Sequence, residues 1–107
     1  MTSERRTVYV AGADAPRGDQ GERLLVSGDR AALRLWDHEE AGTSKPEHAN
    51  RYEYVAYVVS GSLRLTVNGQ TFEARAGDSY CVPAGAPHTL EVVERATVVE
   101  ATAPPEH

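Results

Sequence analysis

The sequence predicts an all-β domain, a small antiparallel sandwich or barrel, and three observations predict it. Apolar and polar residues alternate with a period of two where the pattern is clearest. Turn signals recur at short intervals. No long window carries the 3.6-residue apolar period of a helix. Many short strands without helices leave a sandwich, a jelly roll or a barrel.

The elements follow in order. Thr7 to Ala11, Arg23 to Val26 and Ala32 to Asp37 are apolar-containing runs, read as strands and divided by Gly12, Pro16, Gly18, Gly21 and Gly28. Val55 to Val59 is the longest uninterrupted apolar run. Leu63, Leu65 and Val67 alternate with Arg64, Thr66 and Asn68, as on a half-buried strand. Asn68-Gly69 then predicts a tight hairpin turn, because a type I′ turn needs two residues at positive φ. The return strand, Gln70 to Arg75, puts Phe72 and Ala74 on one face. Ser79 to Val82, Pro87 to Val93 and Thr97 to Thr102 are read as further strands. Ala76-Gly77-Asp78, Pro83-Ala84-Gly85 and Glu94-Arg95 are the turns between them, and the tail Ala103 to His107 is read as frayed.

Composition narrows the class. The 107 residues fit one domain, 1–107, and a 40% apolar, 25% charged balance is that of an ordinary globular chain. A net charge of −5, with basic residues scattered and Lys45 the only lysine, argues against nucleic acid or an anionic membrane as partner. The polar start Met1-Thr2-Ser3-Glu4-Arg5-Arg6 has no signal-peptide character, and no apolar run approaches a bilayer span, so the expected location is cytoplasmic. Cys81 is the only cysteine, which excludes an internal disulfide, a CxxC pair and a Cys-rich zinc site.

Two segments carry histidines at regular offsets from turn residues. The first begins at Gly42, reaches His48 after five residues, continues through Asn50, Tyr52, Glu53 and Tyr54, and closes at Gly61. The second runs Gly77, five residues, Pro83, one residue, Gly85, two residues, His88. Together they resemble the two motifs of the cupin superfamily, and the resemblance covers about residues 32 to 101. It implies an antiparallel jelly-roll β-barrel, N-terminal strands within 6–27, a homodimer, and a divalent transition metal such as Mn, Fe, Ni, Zn or Co held near one end. In the family, two histidines two residues apart, a carboxylate or amide, and a later histidine hold that metal.

This chain departs from that set. His48 and His88 match its first and last members. Asn50 stands at the second histidine position, and Tyr54 at the carboxylate position, with Glu53 one residue earlier. A one-residue shift along a regular strand turns a side chain to the opposite face, so Glu53 reaches the site only through a bulge or an irregular strand start. The candidate metal ligands are therefore His48, His88, Asn50 and Glu53. The candidate catalytic groups are His48, His88, Tyr54 and Glu53. A neutral imidazole is also available at pH 7 for proton transfer or ligand binding without a metal.

Other residues have plainer readings. His38 is a solvated histidine at a strand end, His107 is terminal, and Glu39-Glu40 is a solvated charge pair. Tyr52 and Tyr54 share the inward set with Asn50, whereas Tyr57 faces outward or into a dimer contact. Tyr54 is read equally as barrel filling or as an acid–base partner. Cys81 falls outside the barrel, Asp78 caps a turn, and Trp36 is core or interface.

Two functional classes follow. In one, the resemblance implies an enzyme acting on a small polar metabolite, a sugar acid or carbonyl compound, by metal-assisted isomerase or lyase chemistry. A metal or protonated His88 polarises the carbonyl while Glu53, Tyr54 or His48 moves a proton. In the other, the barrel binds or senses a ligand without metal. An Fe dioxygenase is a weaker third reading that depends on Glu53.

Overall fold

Two strands far longer than the turn signals suggest organise the fold. A computed structural model describes residues 7–107. Its strands are β1 (Arg23–Ser27), β2 (Ala32–Glu39), β3 (Ser44–His48), β4 (Glu53–Val67), β5 (Gln70–Arg75), β6 (Ser79–Val82) and β7 (His88–Ala103). β4 and β7 pair antiparallel from Glu53↔Ala103 to Val67↔His88. The outer edge of β7 carries β3 on its N-terminal half and β2 on its C-terminal half. The outer edge of β4 carries β6 and then β5, and β1 completes the edge beyond β2. The result is two antiparallel layers, β1-β2-β7-β4-β6 and β3-β7-β4-β5, which share the long strands in the manner of a jelly roll.

The long strands pass from one layer to the other at Gly61. Before it, Tyr54, Ala56 and Val58 are buried while Val55, Tyr57 and Val59 are exposed; after it, Leu63, Leu65 and Val67 are the buried set. The buried parity therefore changes from even to odd. The pairing changes by one residue over the same stretch, from Val58↔Val98 to Leu63↔Val92, with irregularities between. A bulge does this by inserting an unmatched residue that turns the following side chains over. Gly61 has φ 79°, and a Cβ there would collide with the carbonyl of Arg95 and lie 2.6 Å from Ala96 Cα. Only glycine fits. The β5–β6 turn braces the same bend, where Ala76 N donates to Gly61 O at 3.1 Å and Gly77 N donates to Val58 O at 2.8 Å.

Inward side chains from both layers make one core. Val58, Leu63, Leu65 and Val82 are almost fully buried, each contributing about 1.5–3 kcal/mol by leaving water. Phe72, Leu90 and Tyr80 pack against them. The hairpin forms as expected, with Asn68 at φ 51° and Gly69 at φ 81° between paired Val67 and Gln70. Asp78 caps its turn, its Oδ2 accepting from Arg75 N at 2.8 Å, and Cys81 is exposed.

Three expected elements are corrected. Thr7 to Ala11 is not a strand: among the described residues no ladder pairs with it, Val8 and Tyr9 are 88% and 76% exposed, and a short 3-10 turn, Gly12–Asp14, follows. An apolar run becomes a strand only where a neighbour takes up its backbone groups. The expected N-terminal strands over 6–27 reduce to β1, and Arg6 lies outside the described residues. The turn at Glu94-Arg95 is absent because β7 runs through it, with Glu94 opposite Ser62 and Ala96 opposite Glu39. The tail is tied down rather than frayed, since Glu106 N donates to Thr102 Oγ1 at 3.2 Å and His107 Nε2 donates to Leu25 O at 2.9 Å. No helix among the described residues is long and apolar enough to cross a membrane.

The bend makes a direct prediction for chemical denaturation. Gly61→Ala loses about 3 kcal/mol or more, because a strained φ and a backbone collision act together. Gly77→Ala, at φ 93° but with open space around its Cβ, loses only about 1–2 kcal/mol. Equal losses would mean that the Arg95 contact does not matter.

Candidate functional site

Between the layers lies a cavity of about 590 Å³, lined from β2 by Arg34 and Trp36, from β3 and the segment after it by Lys45, His48, Asn50 and Tyr52, and from β4, β6 and β7 by Tyr54, Tyr80, His88 and Glu100. Alternation puts these side chains there. On β7 the even residues point inward, so Glu100 shares a face with Val98 and Thr102. Pairing then aligns Arg34, Glu100, Ala56 and Tyr80 in one row across β2, β7, β4 and β6. The small Ala56 stands between Glu100 and Tyr80 in that row.

The row holds a buried ion pair. Arg34 Nε donates to Glu100 Oε1 at 2.7 Å, with side chains 11% and 5% exposed. Arg34 Nη2 donates to Tyr52 Oη at 3.2 Å, and the guanidinium lies 5.4–5.8 Å from the rings of Trp36, Tyr52 and Tyr54. Burial favours the neutral guanidine, but the charge and hydrogen bond of Glu100 outweigh it, so Arg34 titrates above its ordinary value and stays charged. Burial, reinforced by the Glu100 charge, pushes the phenols of Tyr54 and Tyr80 upward. Both stay protonated near neutral pH, suited to donate a hydrogen bond rather than to take a proton.

The two histidines meet because β3 and β7 place His48 opposite His88. Pro46 lies in β3, an edge strand whose pairing with β7 is irregular between Lys45 and His48, the kind of position where a sheet tolerates proline. The imidazole centroids are 4.3 Å apart at 53°, and the Tyr54 ring meets His88 edge-on at 6.0 Å. His88 is buried and His48 is exposed at the rim. His48 Nδ1 lies 3.0 Å from Pro46 O, and His88 Nδ1 lies 3.0 Å from Ala86 O. A carbonyl only accepts, so each neutral ring carries its proton on Nδ1 and keeps a lone pair on Nε2.

The structure thus gathers His48, His88, Asn50 and Tyr54 at the cavity but leaves Glu53 outside. Glu53 is exposed, and the regular pairings Glu53↔Ala103 and Tyr54↔Thr102 contain no bulge to turn it inward. Asn50 is also fixed through its backbone, its carbonyl accepting from Gly85 N at 2.8 Å. Two imidazole lone pairs beside an amide and a neutral phenol lack an anionic ligand. No group of three His, Cys, Asp or Glu residues among those described could hold a metal. The donor set does not fit the four-ligand metal site that the resemblance implies.

Sequence reasoning missed Arg34, Glu100 and Lys45, and read Trp36 as core or interface. The signal for Glu100 was its position in the even, inward set of the last strand. Arg34 and Trp36 share the inward face of β2, and Lys45 Nζ lies 3.6 Å from the Trp36 ring centroid while bonding Gln20 Oε1 at 3.1 Å. His38 is exposed, and neither it nor His107 lines the cavity. Glu39 does line it, unlike the solvated Glu40. Trp36 and Tyr80 line the cavity, but their Nε1 and Oη atoms are closed off from solvent and have no hydrogen-bond partner among the described residues.

The cupin-domain family model matches residues 36–101. This chain belongs to the cupin family. Over 78 residues the cupin is 31% identical to the HTH-type transcriptional regulator PuuR of Escherichia coli (strain K12), a match covering 68% of this chain and 42% of the regulator. It therefore spans less than half of that relative. The crystal structure of an RmlC-like cupin from Shewanella frigidimarina NCIMB 400 superimposes with a TM-score of 0.83 at 22% identity, covering 94% of each chain. KdgF from Halomonas sp. superimposes with a TM-score of 0.79 at 15% identity, covering 90% of this chain and 94% of KdgF. These two likenesses bear on the fold alone.

The ion pair gives a stability prediction. Arg34→Met leaves Glu100 buried and unpaired and lowers unfolding free energy by about 3–5 kcal/mol in urea titration. Adding Glu100→Leu recovers most of that loss, because an apolar pair removes both desolvation costs. A double variant no more stable than the single one would show that the two side chains are not coupled.

Proposed function

We propose that this cupin binds a small polar metabolite in the cavity and acts as a metal-independent recognition module. The observation that carries this reading is the cavity of about 590 Å³ itself, in which the Arg34–Glu100 pair and the His48 and His88 imidazoles are set among aromatic and aliphatic side chains. A concave site of this size with a few convergent polar groups on a largely apolar wall is the usual form of a small-molecule pocket. The sequence likeness to a transcriptional regulator supports recognition over turnover.

A second reading has its own support. The free Nε2 atoms of His48 and His88, one at the rim and one buried, can hold and move a proton on a carbonyl substrate between them. Protonated Tyr54, edge-on to His88, would then donate to the carbonyl oxygen. Glu53, facing out, has no part in either reading.

Thermal-shift screening against a panel of polar metabolites, with and without chelator, tests the proposal. A ligand at a hundredfold excess over Kd adds about 2.7 kcal/mol of stability, and the shift is the same with chelator present. A shift that chelator abolishes would support a metal site instead. In equilibrium dialysis, the parent binds Zn(II) at least a hundredfold more weakly than an Asn50→His/Tyr54→Glu variant.

We also propose a homodimer formed through the outer face of the β2-β7-β4-β6 layer. Leu33, Val55, Tyr57 and Val59 stand 37–51% exposed there, and a two-fold pairing covers the same residues on both copies. Light scattering with size exclusion gives a two-chain mass, and Val55→Asp/Tyr57→Asp gives one chain.

A further inference from the structure

We infer that Lys45 is a nucleophilic amine that captures an uncharged aldehyde with an apolar body in the cavity, as an iminium on Nζ. This goes beyond the reversible binding proposed above: it needs the cavity but not that reading.

A lysine becomes a nucleophile when it is partly taken out of water, free of a carboxylate partner and bordered by space for a carbonyl carbon. Lys45 meets these conditions. It is half-buried, whereas the other four residues of β3 are exposed, and it lines the cavity beside Trp36. Its Nζ lies 3.6 Å from the Trp36 ring centroid and donates to Gln20 Oε1 at 3.1 Å. Arg34 is held by Glu100, but no ion pair among the described residues holds Lys45. Burial brings its titration below the ordinary lysine value. The charges of Glu39 on β2, Glu100 on β7 and Glu22 ahead of β1 oppose that shift without reversing it, and Arg34 adds to it. A larger share of Lys45 is therefore free amine near neutral pH.

The reaction conserves charge. Nζ gives up a proton, its lone pair forms a C–N bond to the aldehyde carbon, and the carbonyl oxygen becomes a hydroxyl. That C–O bond then breaks, water leaves, and a C=N bond remains. The sum is ammonium plus aldehyde to iminium plus water, with no oxidant or reductant. The iminium carries the charge that the ammonium carried, so the Trp36 face and the three carboxylates stabilise the product as they do the resting cation.

The wall selects the aldehyde. Arg34 and Lys45 stand against Glu22, Glu39 and Glu100, which leaves the lining one net negative charge with neutral imidazoles. An anionic carbonyl compound, such as a keto acid, is repelled. Leu63, Leu90, Val92 and Val98 in the same lining take up an apolar body.

Reductive trapping of the full chain with cyanoborohydride near neutral pH tests this, with butanal, benzaldehyde and glyoxylate as probes. Lys45 is the only lysine, so peptide mass mapping separates its adduct from that of the N-terminal amine. Each rate is divided by that of the same probe on Lys45 in the guanidinium-unfolded chain, which removes the probe's own reactivity. Folded Lys45 reacts with butanal and benzaldehyde at least about tenfold faster than unfolded Lys45, and with glyoxylate no faster. Lys45→Arg/Glu47→Lys moves the amine to an exposed residue outside the lining, and the advantage disappears. A folded rate no higher than the unfolded one overturns the inference, as does an equal gain for glyoxylate or a relocated lysine that keeps the advantage. If Lys45 gains nothing while a metabolite shifts the melting temperature, the inference falls and the binding reading stands. If Lys45 gains while no metabolite shifts it, the inference stands and the binding reading falls.

Discussion

Because β4 and β7 pair over nearly their whole length, every other strand except β1 finds its place on one of their two outer edges. That ladder bends once, and the bend is possible only where the backbones approach closely at Gly61 and Arg95. A jelly roll needs its strands to change sheets while keeping their apolar faces inside. Here the one-residue change of register does so, handing the buried face from Val58 to Leu63 without exposing either. The site inherits its geometry from the same ladder. Glu100 and His88 stand on one strand but in different layers, and the bend brings both to the same cavity.

What could be read from the chain was whatever depends on neighbours in sequence. The Asn68-Gly69 hairpin needs only two residues at positive φ, and the alternation from Leu63 to Val67 only a period of two. His48 and His88 were legible because turn residues frame them. What was not legible depends on partners across the sheet. Thr7 to Ala11 has a strand's composition but no edge to join. Glu94-Arg95 has a turn's composition, yet β4 pairs across it and the irregularity goes into the register instead. Glu53 follows the same logic. Spacing puts Glu53 on the face opposite Tyr54, and the regular pairing at both residues, which only the neighbouring strand supplies, keeps it there.

The ion pair in the cavity is harder to read from sequence for a further reason. Arg34 and Glu100 are 66 residues apart, and each alone looks like a polar interruption of an apolar strand. Only their register makes them partners, and the Glu100 carboxylate together with the rings of Trp36, Tyr52 and Tyr54 makes a buried guanidinium tolerable. The guanidinium stacks on ring faces while its N–H groups stay directed at oxygen.

Stability does not explain why that pair is present. Removing two charges from water costs about as much as their attraction returns, and a well-packed apolar pair of similar volume is generally at least as stable. An Arg34–Glu100 pair at the cavity wall therefore has to be accounted for by what it presents rather than by what it holds together. It presents a fixed cation at the cavity wall whose own counter-ion is already in place. Glu100 fixes the fork through Nε and Tyr52 fixes it through Nη2, so the guanidinium loses little freedom when a ligand arrives. The same reasoning applies to the histidines, whose Nδ1 protons are spent on carbonyls and whose Nε2 lone pairs are therefore fixed in direction. The Arg34 guanidinium and the two imidazoles at this cavity are thus held in direction before anything else meets them, which is what preorganisation requires.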